Sequence, residues 1–83
     1  MFLKYKNDIY NINNYESIHN GGELEIQLVL LHENNVVVLK FNNKAGRDFI
    51  ISEIWAALIN DERCYDIDFN IDNFYREQKY NLI

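Results

Sequence analysis

Proline is absent from this chain, and its 83 residues hold three glycines and one cysteine. The lone thiol, Cys64, excludes an intramolecular disulfide framework and fits a reducing compartment. Long apolar runs are missing too. The longest, Leu28–Leu31 and Val36–Leu39, are far short of a membrane span, and Met1–Lys6 has no apolar stretch of signal-peptide length. A bacterial cytoplasmic location is the expectation. Cations are scarce: eight Lys and Arg stand against thirteen Asp and Glu, for a formal net charge of -5. That sign disfavours unaided binding to duplex nucleic acid, where cationic side chains must replace counterions, and disfavours anionic membrane surfaces.

Apolar matter is plentiful. The hydrophobic fraction is 48% and the aromatic fraction 14%, enough to expect one folded domain rather than a disordered chain. Abundant Asn, Ile, Lys and Tyr with no proline read as an AT-rich bacterial or phage genome.

The pattern along the chain predicts an α+β domain spanning residues 1–83. Residues 2–6 suggest a first strand, Lys6-Asn7-Asp8 a turn, and Ile9 to Ile12 and Tyr15 to Ile18 short extended pieces. After the Gly21-Gly22 break, Glu23 to Leu31 alternates, with Leu24, Ile26, Leu28 and Leu30 on one face. His32 to Asn35 reads as a loop and Val36 to Phe41 as the returning strand, a central hairpin over residues 23–41. The period then becomes helical over residues 46–60. Ile50, Ile54, Ala57 and Leu58 share a stripe that Ile51 and Trp55 widen, opposite Arg47, Asp48, Ser52, Glu53 and Asn60. Tyr65 to Ile71 alternates again and predicts a late strand, followed by a short helix from Asp72 or Asn73 to about Lys79. Trp55, Tyr65, Phe69, Phe74, Tyr75 and Tyr80 are expected mostly in the core.

Catalytic chemistry has thin support. Ser17, Ser52 and Cys64 are the nucleophile candidates and His19 and His32 the bases, but none sits in a recognisable nucleophile setting, and no catalytic residue is assigned. Gly21-Gly22 lacks the lysine and following helix of a phosphate loop. Asp66, Asp68, Asn70, Asp72 and Glu77 match the ligand spacing of a calcium loop, yet Ile71 stands where the sharp turn requires glycine. Strand alternation produces the same spacing, so no metal or other cofactor is assigned.

The most informative stretch is Asp61–Asp72. Asp61, Glu62, Asp66, Asp68 and Asp72 face a single Arg63, with Tyr65, Ile67, Phe69 and Ile71 between them. On a strand, residues two apart lie roughly 6.6 Å from each other, so Asp66 and Asp68 would repeat at a spacing similar to successive phosphates. A protein partner with a basic surface is the class of target this implies. Tyr65, Tyr75 and Tyr80 are candidate anchors beside the acids Glu62, Asp66, Asp68 and Asp72.

The order hairpin, amphipathic helix, acidic stretch and Phe74-Tyr75, carried by Val36–Leu39, Phe49–Ile51 and Asp66–Asp72, resembles small acidic phage anti-CRISPR proteins that inhibit Cas9 by imitating DNA. The resemblance implies a non-enzymatic inhibitor that occupies an arginine-rich groove of a CRISPR effector, with Asp66, Asp68 and Asp72 standing in for phosphates. Two other readings remain open. One is a self-associating assembly module, a homodimer, since Val29, Leu31, Val37, Leu39 and Phe41 need cover if Val36 and Val38 face inward. The other is calcium binding.

Overall fold

A computed structural model describes residues 1–22, 24–30 and 36–81. Among the described residues, two three-stranded sheets and two α-helices form an α+β unit. Strands β1 (Phe2–Tyr5) and β2 (Asp8–Asn11) make a tight antiparallel hairpin, with Lys6 at φ 55° in its turn. A 3-10 turn over Ile12–Asn14 leads to β3 (Tyr15–Asn20), which pairs with β4 (Glu25–Leu30), itself paired with β5 (Val36–Lys40). The expected hairpin is therefore present. Glu23, Leu31 and the His32–Asn35 loop lie outside the described residues.

The inward parity of β5 is the reverse of the one weighed above. Leu39 and Phe41 are buried and Val37 half-buried, whereas Val36 and Val38 are exposed. The in-register partners Ile26–Leu39 and Leu28–Val37 put two fully buried side chains of β4 on that same face.

Helix α1 (Lys44–Ile59) starts where Asn43 accepts a hydrogen bond from the Gly46 N–H at 2.8 Å. Its buried stripe is Ile50, Ile54 and Ala57, packed against β4, β6 and the second helix. Arg47 joins that stripe rather than the polar face: it is 5% exposed, and its guanidinium donates to the Gly22 carbonyl and to Asp48. Burial of this charge is tolerable because the Asp48 carboxylate pairs it and the Gly22 carbonyl accepts a further N–H.

Strand β6 (Cys64–Asp66) is shorter than expected and pairs in parallel with β1, and α2 (Ile67–Asn81) follows at once. Asp66 causes the switch. Its side chain accepts the Phe69 N–H at 3.0 Å and its carbonyl accepts the Asn70 amide at 2.7 Å, which starts a helix at the point where alternation predicted more strand. Ile67 and Ile71, four apart, satisfy either template and are buried in both. Phe69 decides between them, pointing outward at 64% exposure. Phe49 of α1 stacks on Phe74 of α2 with centroids 4.6 Å apart. Two hydrogen bonds at the Tyr5 hydroxyl, donated to Lys40 O and accepted from Lys40 N, join the two sheets. No helix among the described residues is long and apolar enough to cross a membrane.

Candidate functional site

The acids of the Asp61–Asp72 stretch do not form one row. Helix α2 places Asp68 and Asp72, four residues apart, beside a mixed-charge cleft of about 200 Å³ that also includes Lys6, Lys40 and Tyr75. Asp68 is bound within the fold: Lys4 Nζ donates to it at 2.8 Å and the Lys6 N–H at 2.9 Å. Burial pushes its carboxyl pKa up, but these donors outweigh that and hold it below the ordinary value. Lys4 is raised in turn, chiefly by the hydrogen bond to Asp68. Asp66 lies 3.8 Å from the same ammonium and also caps α2.

A second group of acids surrounds a different cleft, of about 480 Å³. Glu53 of α1, Glu62 and Asp66 line it together with Tyr65, and no lysine or arginine among the described residues does. Tyr65 is half-buried, and its hydroxyl has no hydrogen-bonding partner among the described residues. Burial, with the negative charges of Glu53, Glu62 and Asp66 behind it, pushes its phenol pKa up, so the group stays neutral. Asp61 and Glu62 close the C-terminal end of α1. The Asp61 N–H donates to Leu58 O and the Glu62 N–H to Ala57 O, with Asp61 in the left-handed region at φ 55°. Glycine is the usual occupant of that position, and cations the usual neighbours of a helix C-terminus; α1 has no basic residue in its last turn.

On the other flank of α1 lies an apolar cleft of about 310 Å³ between the helix and β3, walled by Ile18, Ile51, Trp55 and Leu58 with Glu16 and Ser17 at its edge. Trp55 is 66% exposed and Ile59 63%. Sequence reasoning put Trp55 and Phe69 in the core, and the structure places both outside. Trp55 sits at the edge of the helical stripe, where core and crest differ by one position of rotation.

Tyr75 is partly buried, packed against the core at the edge of the mixed-charge cleft. Its ring lies edge-on to Phe74 and its hydroxyl accepts the Asn42 N–H at 3.2 Å. Of the anchor candidates, Tyr80 has a side chain outside the described portion. The calcium-spaced residues fall on β6 and α2 rather than in a loop, and the described residues contain no cluster of three ligating side chains placed to hold a metal. Ser17, His19 and Gln27 form a chain on the sheet surface, with Ser17 Oγ 3.4 Å from His19 Nδ1 and His19 Nε2 3.2 Å from Gln27 Oε1. The Ser–His contact is longer than a working nucleophile–base pair, and a neutral amide stands where a carboxylate would stabilise the imidazolium. His32 lies outside the described residues.

No protein-family model, curated protein or solved structure matches this chain.

Proposed function

We propose that this protein is a small acidic, non-enzymatic binding protein that blocks a cationic, nucleic-acid-binding surface of another protein in the bacterial cytoplasm, in the manner of the phage anti-CRISPR inhibitors it resembles. The observation that carries this reading is the segregation of charge. Glu53 and Glu62 share a cleft that no cation among the described residues lines, with Asp61 at the adjoining helix end, while Lys4, Lys6 and Lys40 lie beside Asp66, Asp68 and Asp72. The anionic face is thus carried by Glu53, Asp61 and Glu62, while Asp66 and Asp68, both beside Lys4, serve the fold instead of standing in for phosphates. An anionic face of this kind steers a cationic groove toward it and competes with nucleic acid for the same groove.

The test is capture from a bacterial lysate on the immobilised protein, eluted either by salt or by excess duplex DNA. A nucleic-acid-binding protein released by both supports the reading. Retention insensitive to DNA, or recovery of this chain alone, contradicts it. Self-association is the second reading, favoured by exposed Ile9 on edge strand β2 and by Val36 and Val38 on edge strand β5. Sedimentation at two concentrations tests it, and a strict monomer removes it.

A further inference from the structure

We infer that the apolar cleft between β3 and α1 is the seat of a cationic amphipathic helix presented by the partner, its apolar side chains against Trp55 and Leu58 and its cations against the acids around α1. This deepens the proposed function and rests on that reading of the protein as an acidic binder. Trp55, Leu58 and Ile59 are 66%, 41% and 63% exposed along one side of the helix, a continuous apolar strip of the kind that marks an interaction site. The cleft beside the strip is large enough to admit side chains, and Ile18 and Ile51 line it together with Ile54, which is 2% exposed.

Charge decides the chemistry of the occupant. Glu16 stands on the cleft wall, no lysine or arginine among the described residues lines it, and Asp61 and Glu62 lie at the helix end beside Leu58 and Ile59. The C-terminus of α1 adds its own partial negative charge. Arg63, next in the chain, is the one nearby cation of this segment. A neutral or anionic helix would leave those carboxylates unmatched, whereas a lysine- or arginine-rich one matches them while burying its apolar stripe, the groove-binding mode of helical ligands. Helix α1 is 16 residues long, so a partner helix of about 18 residues, about 27 Å, can run its full length.

The probe is a synthetic peptide of about 18 residues with leucine at i, i+3, i+4 and i+7 and lysine elsewhere. Trp55 is the single tryptophan and reports directly. Added peptide is expected to move Trp55 emission to shorter wavelength and protect it from acrylamide, and the same residues in scrambled order are expected to do neither. Leu58→Asn is expected to weaken binding about tenfold with its melting curve retained, and the milder Leu58→Ala covers the case in which the polar variant unfolds. Equal binding of the scrambled peptide with Trp55 still accessible would overturn the inference. So would a free protein that dimerises and already shields Trp55, because the occupant is then a second copy. Glu16→Gln/Asp61→Asn/Glu62→Gln, which removes the carboxylates beside the cleft, separates the two claims. If that variant loses the peptide while Leu58→Asn keeps it, the acidic face stands and the cleft assignment fails. The opposite pattern removes the acidic reading and leaves the cleft.

Discussion

Gly46 shows how closely the helices are fitted at single residues. A Cβ at this position would lie 2.5 Å from Tyr75 Oη and 3.0 Å from Ile71 Cδ1, so glycine serves here for close approach, with no positive φ involved. In an open helix Gly→Ala gains about 1 kcal/mol, but overpacking a filled interior costs about 1–3 kcal/mol. Gly46→Ala is therefore expected to lower the urea midpoint, and Tyr75→Phe, which removes the nearest atom, to relieve part of the loss in a double-mutant cycle. No coupling between the two would contradict the packing account. Asp68 supplies a second prediction. Its folded pKa lies below the ordinary 3.8, so its contribution is present above that value and is lost as pH falls through the folded one. Lys4 has the opposite sign, its contribution fading only as pH rises above 10.5. Urea unfolding of wild type and Asp68→Asn should therefore differ at pH 6 and converge below pH 3.8. A constant gap down to pH 2 would assign the effect to shape rather than charge.

At the scale of the elements, most of the sheet was legible because a buried face enforces period two. Ile26 and Leu28 behave as their alternation requires, and α1 follows its 3.6-residue stripe through Ile50, Ile54 and Ala57. The acidic segment misled because Ile67 and Ile71 fit either period and the cap at Asp66 cannot be seen in an alternation count. With the strand went the row of evenly spaced carboxylates, and the acids divided between two clefts. Trp55 and Arg47 exchanged their expected places for a related reason: each lies at the margin of the stripe, where the guanidinium found the Gly22 carbonyl and the indole stays largely exposed at the rim of the apolar cleft. The end of α1 was legible to within a residue, but its closing geometry was not, since Asp61 occupies a left-handed position that glycine usually fills. Asp61→Gly should stabilise the protein by about 0.5–1 kcal/mol in thermal unfolding, by releasing the left-handed conformation and removing a charge from a helix C-terminus. If the carboxylate serves binding, the same variant should bind its partner less tightly. Loss of stability in Asp61→Gly would show that the carboxylate makes a structural contact instead.

The whole molecule is elongated, 48 × 26 × 23 Å with a radius of gyration of 13.0 Å, where a compact chain of this length is expected near about 12 Å. That shape leaves helix α1 standing between an apolar flank and an anionic flank, with the lysines of β1, its turn and β5 gathered elsewhere. Exposed charges of this kind act over roughly a Debye length, about 8 Å at physiological salt, so the anionic face should govern association most strongly at low ionic strength. The most direct measurement is the affinity of the captured partner for wild type and for Glu53→Gln/Asp61→Asn/Glu62→Gln, each at low and physiological salt. None of the three carboxylates makes an ion pair or side-chain hydrogen bond among the described residues, and Asn is at home at the left-handed position of Asp61, so the melting curve should be retained. The account predicts an affinity lower by about tenfold or more at low salt, a flatter salt dependence, and loss of competition with duplex DNA. Equal affinity and an equal salt slope in the two proteins would contradict it, and the acids would then be a solvated face with no part in recognition.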